Sequence, residues 1–368
     1  MDTKLQATGY RRQASKKTRR VLRASFLFVL LVFTLLNVSS CSDSGFLNKP
    51  SLNSIMLSGT TMGTTYHITI VQPKANALNA KESDALQELI DRQLVNINQL
   101  MSTYIVDSEL SRFNQSPVGE WFPLSAETFA VIEYSLSLSA QSKGKFDVTV
   151  SPLIDLWGFG AEGLREFPSD EAISAAKAQV GWQSISLDKP QLQIKKTKAL
   201  RTDLSAVAKG YGVDVIVQLL EQQKLQNYLV EIGGEIRVKG KNKDNVFWKV
   251  GIETPSLLQA GAQQIISLNN KAVATSGDYR NFFEHKGVRY SHTIDPDSGK
   301  PVIHNIASLT VISDTAMEAD ALATAFMAMG EAKALAMATV YNIPIYILLY
   351  ENDQFTSSHS SSFEPYLH

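Results

Sequence analysis

Tyr228-Leu-Val-Glu-Ile-Gly-Gly-Glu-Ile-Arg-Val-Lys239 is the stretch whose reading decides the fold class. Two short runs, Tyr228–Ile232 and Glu235–Lys239, flank Gly233-Gly234. Adjacent glycines supply the positive φ that a two-residue hairpin turn needs, so the runs are predicted to pair antiparallel. Working outward, strands are predicted at 66–71, 247–253, 272–276, 288–294, 307–312 and 343–350. Helical spacing marks 83–101, where Leu86, Leu89, Ile90, Leu94, Ile97 and Leu100 fall on one face. Further helices are predicted at 126–143, 169–180 and 316–329. Antiparallel hairpins mixed with helices, without a repeat, predict an α+β fold of mixed antiparallel sheets with packed helices, not a doubly wound sheet.

The composition is globular: 368 residues, 44% hydrophobic, 21 Gly and 12 Pro. The first 41 residues differ. Arg11, Arg12, Lys16, Lys17, Arg19, Arg20 and Arg23 precede an apolar run from Phe26 to Leu36, and then comes Val38-Ser-Ser-Cys41. A basic flank, a short apolar core and small residues form the three-part pattern of a secretory signal. The apolar run is well short of the ~20 residues needed to span a bilayer. Cys41 is the single cysteine of the chain, and Val-Ser-Ser-Cys is similar to the lipobox of bacterial lipoproteins, whose cysteine is acylated after cleavage. The expected organisation is therefore a lipoprotein signal peptide over 1–40 and a lipidated tether over 41–54. A folded domain over 55–351 and a mobile, Ser-rich polar tail over 352–368 complete it. Beyond residue 41 the chain carries 27 basic and 35 acidic residues, a formal charge of −8. That sign argues against nucleic-acid binding, which needs a basic face.

Four segments carry candidate chemistry. In Thr315-Ala-Met-Glu-Ala-Asp-Ala-Leu-Ala-Thr324, Thr315 and Glu318 are spaced as a capping box. The helix beyond is apolar on nearly every side, so Asp320 is expected to be buried, with Thr324 on the same face at i+4. A carboxylate and a hydroxyl there suit a hard cation such as Mg²⁺; the alternative is a core Asp satisfied by an Arg or by backbone amides. In Asp203-Leu-Ser-Ala-Val-Ala-Lys-Gly-Tyr-Gly-Val-Asp214 a strand end turns into a helix. Lys209 near a helix N-terminus is a natural anion site, while Gly210 and Gly212 imply close approach of either a ligand or a neighbouring element. The spacing is not that of a Walker loop. In Ser291-His-Thr-Ile-Asp-Pro-Asp-Ser-Gly299, His292 leads from a strand end into a turn. It is either a general base facing a cleft or a structural histidine. Finally Gly59-Thr-Thr-Met-Gly-Thr-Thr-Tyr66 is a Gly- and Thr-rich turn ahead of a strand, a weak sign of a nucleotide loop.

Taken in order, Thr61-Met-Gly-Thr64, Met101-Ser-Thr-Tyr104 with Ser108-Glu-Leu-Ser-Arg-Phe-Asn114, and Phe146-Asp-Val-Thr-Val-Ser-Pro152 are joined by four more motifs. These are Asp203 to Tyr211, Glu231-Ile-Gly-Gly-Glu235, Ser291-His-Thr-Ile-Asp-Pro296 and Ala319-Asp-Ala-Leu-Ala-Thr-Ala325. Together they resemble the FAD:protein FMN transferases of the ApbE family over essentially the whole domain. The resemblance implies a metal-dependent transferase that moves FMN from FAD to a Thr or Ser hydroxyl of a target flavoprotein and releases AMP. Other readings are a Mg-dependent FAD pyrophosphatase or a non-catalytic flavin-binding lipoprotein. It further implies that Met62, Tyr104, Lys145, Phe146, Asp147, Asp203, Lys209 and Ile294 line the FAD pocket. Mg²⁺ would be held by Ala206, through its carbonyl, with Asp320 and Thr324, and His292 would act as the base. Many relatives carry an acidic residue where this chain has Ala323, which removes one possible ligand. The implied acceptors are periplasm-facing subunits of membrane redox pumps of the Nqr and Rnf type. The expected location is the periplasmic side of the inner membrane, with Cys41 carrying the lipid; the outer membrane is the alternative, since Ser42 and not Asp follows that cysteine.

Overall fold

Both hairpin turns that organise the sheet have positive φ at their two central residues: Met62 and Gly63 at 50° and 73°, Gly233 and Gly234 at 58° and 101°. That is the backbone a tight hairpin matched to strand twist requires. The computed structural model describes residues 51–159, 167–253, 262–277, 282–285, 288–351 and 354–367. The basic leader and Cys41 lie outside them. Eight strands form the central sheet: β1 Leu52–Thr61, β2 Thr64–Pro73, β3 Tyr228–Ile232 and β4 Glu235–Lys239, followed by β5 Lys271–Gly277, β6 Ile306–Ser313, β7 Ile345–Glu351 and β8 Gln354–His359. Their order across the sheet is their order in the chain, and every neighbouring pair is antiparallel.

Two of the connections that leave this meander are helical. Between β2 and β3 run α1 Ala80–Met101, α2 Glu109–Gln115, α3 Ala126–Gln141, α4 Ser151–Leu156, α5 Asp170–Lys177 and α6 Ala208–Gln222. Between β6 and β7 run α7 Ala316–Met329 and α8 Glu331–Tyr341. α1 starts in a reciprocal capping box: Asn79 Oδ1 accepts the Glu82 N–H at 3.1 Å, and Glu82 accepts the Asn79 N–H at 2.9 Å. Its buried stripe is Leu86, Ile90, Leu94, Ile97 and Met101.

The sheet is covered on both faces, as strand alternation makes plain. On β7, Ile345 and Ile347 join the core shared with the helices, whereas Tyr346 and Leu348 join a second core on the opposite face. That second face is closed by the hairpin of Trp248–Glu253 with Ala262–Leu268 and by Phe363, which is fully buried. α7 packs in the main core with Ala316, Ala321, Leu322, Ala323, Ala325, Phe326 and Met327 all buried. The α+β class read from the sequence is the observed one.

Several expectations need correction. Residues 354–367 are not a mobile tail: β8 pairs along β7 and the turn Ser361–Tyr366 plugs Phe363 into the core. The folded domain starts before residue 55, because Leu52, Asn53 and Ser54 already pair with β2. The strand predicted over 288–294 is two, Val288–Ser291 and Ile294–Asp295, interrupted at His292 and Thr293. The cap of α7 is half a box. Thr315 accepts the Glu318 N–H at 3.3 Å, but the Glu318 carboxylate is taken by the Ser313 hydroxyl. Among the described residues no helix is long and apolar enough to cross a membrane.

Candidate active site

A cavity of about 1500 Å³ opens among α6, α7, β4 and the turns that precede and follow them. It is larger than the ~300–1,000 Å³ of an ordinary small-ligand site and has room for a dinucleotide. Tyr104, Lys145, Phe146, Asp147, Asp203, Ala206, Lys209, His292, Ile294, Asp320 and Thr324 all line it. The resemblance implies one site for these residues, which come from five separate segments of the chain.

The floor of the cavity is set by a reciprocal arrangement of α6 and α7. The cap residue of α6, Val207, has no side-chain hydrogen bond to offer. Asp320 of α7 supplies it, its Oδ2 accepting the Gly210 N–H at 3.0 Å. In return Asp214 of α6 caps α7, accepting the Ala316 N–H at 3.0 Å and the Met317 N–H at 2.9 Å. Each carboxylate satisfies orphan N–H groups and faces a positive helix end. Arg237 of β4 holds the second of these carboxylates at 2.6 Å.

The helices meet closely because of Gly210. A Cβ there would lie 2.2 Å from the Ala316 carbonyl oxygen and 2.8 Å from the Met317 Cα. Gly210 therefore answers to a neighbouring backbone, not to a ligand. Gly212 faces Met62, whose Cε would be 3.0 Å from an added Cβ, and Ile232. Met62 is thereby accounted for as packing between the first hairpin and α6. It does not line the cavity, in contrast to its expected place in the pocket.

Lys209 stands between two carboxylates, with Nζ 3.2 Å from Glu235 Oε1 and 3.6 Å from Asp320 Oδ1. Both acids are buried. Burial works against the ammonium, but the two carboxylates outweigh it and raise the Lys209 pKa. Burial and the facing Asp320 charge push Glu235 up to about 8, since one ammonium cannot neutralise two carboxylates. Glu235 was not singled out from the sequence, although it closes the Glu-Ile-Gly-Gly-Glu motif. The available signal was the pair of charges at alternate positions on β4, Glu235 and Arg237, answering Lys209 and Asp214 on α6.

The opposite wall is the Asp295–Gly299 turn. Lys145 Nζ lies 2.6 Å from Asp295 and 2.8 Å from Asp297. Burial lowers its pKa, and the two carboxylates more than restore it. Trp157 Nε1 donates to the Gly299 carbonyl at 2.8 Å. His292 enters the turn at the cavity edge, its ring 6.3 Å from that of Phe159 in an edge-to-face arrangement. Asp147 is engaged locally: it accepts from the Thr149 N–H at 2.8 Å, the Thr149 hydroxyl at 2.6 Å and the Trp182 N–H at 3.2 Å. Burial raises its pKa. Asp203 accepts the Ser205 N–H at 2.8 Å, and also its hydroxyl, which shapes the turn carrying Ala206 into α6. Tyr104 stands at the rim, 80% exposed.

Asp320, Thr324 and the Ala206 backbone offer oxygen donors only, the chemistry a hard divalent cation takes. Among the described residues no cluster of three or more His, Cys, Asp or Glu could hold a metal. A small protein donor set of this kind suits Mg²⁺, which keeps waters and substrate phosphate in its shell. Ala323 is buried in the core and does not line the cavity.

The profile of the ApbE family matches residues 62–347. The FAD:protein FMN transferase of Vibrio cholerae serotype O1 is 46% identical over 320 residues, covering 87% of this chain and 94% of its own length. That of Haemophilus influenzae is 42% identical over 316 residues, covering 84% and 90%. Among solved structures, the flavin transferase ApbE from Vibrio cholerae aligns with a TM-score of 0.79 at 43% identity, over 86% of this chain and 100% of that one. The apo flavinyl transferase ApbE of Pseudomonas stutzeri aligns with a TM-score of 0.78 at 36% identity, over 86% and 97%.

Proposed function

This chain belongs to the ApbE family, and we propose that it moves FMN from FAD to a Thr or Ser hydroxyl of a target flavoprotein and releases AMP. The observation that carries this reading is the Lys209–Glu235–Asp320 cluster, which shares one large cavity with His292. A dinucleotide fits the volume, the Lys209 ammonium of the cluster can face its phosphates, and a base stands at the edge.

In this reading the FAD pyrophosphate lies against the start of α6, near the Lys209 ammonium. Lys209 offsets charge that builds on the departing AMP. His292 takes the proton of the acceptor hydroxyl. A bond forms between that oxygen and the FMN-side phosphorus, and the bond from this phosphorus to the bridging oxygen breaks. AMP leaves with the bridging oxygen. The acceptor is left with a phosphodiester-linked flavin. Asp320, Thr324 and the Ala206 carbonyl would hold Mg²⁺, which supplies positive charge against the pyrophosphate. Asp320 is fixed for this by its bond to Gly210, so binding a cation needs little rearrangement of α7.

The acceptors are periplasm-facing subunits of redox pumps of the Nqr and Rnf type. The enzyme works beside them on the periplasmic side of the inner membrane, anchored by lipid on Cys41. The lipobox-like Val38-Ser-Ser-Cys41 and the basic leader support this placement. An anchored enzyme would meet a membrane-bound acceptor at a raised effective concentration.

The test uses FAD carrying a phosphorus isotope at either phosphate. Label on the FMN side is expected on the acceptor protein, and label on the adenosine side in free AMP. Label from both sides in solution, with none on the acceptor, would make the enzyme a hydrolase.

A further inference from the structure

Glu235 is the one residue of the cluster to which neither the resemblance nor the proposed chemistry gives a task. It begins β4 immediately after the Gly233-Gly234 turn and is 5% exposed. Its Oε1 faces Lys209 at 3.2 Å, while Oε2 is buried without a hydrogen-bond partner among the described residues. A buried carboxylate oxygen left without a hydrogen bond is costly to keep. A side chain held at that cost beside a candidate cation site calls for a function.

The geometry supplies one. Lys209 has two carboxylates to choose from and lies nearer Glu235 than Asp320, at 3.2 Å against 3.6 Å. Asp320 commits Oδ2 to the Gly210 N–H, so Oδ1 is the oxygen left to meet a cation. Were the ammonium to close on Oδ1, cation and lysine would compete for a single atom. We propose that Glu235 is a positioning residue that draws the Lys209 ammonium off Asp320, keeping Asp320 Oδ1 open for a divalent cation and Lys209 turned toward substrate phosphate. Glu235 touches neither cation nor substrate; it acts through Lys209. Gly233 assists, since a Cβ there would lie 3.2 Å from Lys209 Cδ and crowd the stem into another path. A bound divalent cation would add positive charge to the cluster of one ammonium and two carboxyl groups, where it faces an anionic pyrophosphate.

The inference rests on the metal-dependent reading, and a double-mutant cycle separates the two. Mn²⁺ affinity is measured by paramagnetic resonance of free Mn²⁺, without turnover, for the wild type, Glu235→Gln, Lys209→Met and the double variant. Far-UV circular dichroism verifies that each is folded. Glu235→Gln is expected to weaken Mn²⁺ binding about tenfold in the presence of Lys209 and to have little effect in the Lys209→Met background. Equal weakening in both backgrounds would mean that Glu235 acts on the cation by its own charge, and would overturn the positioning role. Unchanged affinity in Glu235→Gln would overturn it too. A wild type that binds no Mn²⁺ would refute the metal reading itself and the inference with it. Should Glu235→Gln fail to fold, Glu235→Asp takes its place in the same cycle. It keeps the charge but withdraws the oxygen from Lys209. Weaker Mn²⁺ binding that depends on Lys209 supports the role; binding equal to wild type refutes it.

Discussion

Gly210→Ala separates two opposite expectations. By helix propensity alone the change should stabilise, since Ala is better than Gly by about 1 kcal/mol in a helix interior. The position of α7 reverses the sign. An added Cβ would lie 2.2 Å from the Ala316 carbonyl oxygen and 2.5 Å from its carbon, both backbone atoms that cannot turn aside. Ordinary contact begins at 3.4 Å, so α6 and α7 must part by about 1.2 Å. Overpacking of this kind costs ~1–3 kcal/mol, which set against the ~1 kcal/mol gained in propensity leaves a net loss of up to ~2 kcal/mol. The same displacement carries Asp320 away from Lys209 and stretches its bond to Gly210. A misplacement of about 1 Å can cost ~10²-fold in rate, the expected loss in FMN transfer. Denaturant unfolding and initial rates with a fixed acceptor measure both quantities. Gly212→Ala is the control: its Cβ would meet the mobile end of Met62 at 3.0 Å, and its loss should stay under about 1 kcal/mol. If Gly210→Ala were as stable and as active as the wild type, the close approach of the two helices would not be what fixes the site.

Three further outcomes are expected. His292→Ala should keep FAD binding, read by flavin fluorescence, and lose transfer by about 10²–10⁴-fold, the usual worth of a general base; transfer at full rate would remove His292 from that role. Cation affinity should rise with pH and level off above about 8, because the metal-free site pushes the Glu235 carboxyl up to about 8, while a cation on Asp320 leaves the Lys209 ammonium to Glu235 and so favours its ionised form. Binding therefore releases a proton below that pH and none above it, which titration calorimetry in buffers of different ionisation enthalpy will detect. Phe363→Ala should destabilise the whole domain by ~3–5 kcal/mol, since the fully buried ring anchors the C-terminal segment in the second core. A loss below ~1 kcal/mol would return that segment to the status of a tail.

What was legible in the sequence follows from the range of the forces involved. The hairpin at Gly233-Gly234 and the stripe of α1 depend on neighbours a few residues away, and both were readable. β8 was not. Gln354–His359 is polar because it lies at the sheet edge, so its apolar pattern is weak and only pairing with β7 reveals it. α8 was missed because its start, at Gly330 with φ 76°, lacks a side-chain cap that a sequence would announce. In the site, the burial of Asp320 was readable from the apolar surroundings of α7. Its bond to Gly210 was not, because two helices distant in sequence cap each other. Glu235 stayed hidden for the same reason: its meaning depends on Lys209 and Asp320, brought to it by α6 and α7. Met62 lies beside Gly212 and outside the cavity lining, a placement that depends on a contact between the first hairpin and α6.

The central claim is the transfer of FMN to protein, and the intact mass of an acceptor domain tests it most directly. The enzyme from about Ser42 onward is incubated with FAD, Mg²⁺ and the acceptor, with and without chelator. A gain of one FMN residue on the acceptor, matched by released AMP and abolished by chelation, is the predicted result. AMP and FMN released while the acceptor mass stays unchanged would contradict it.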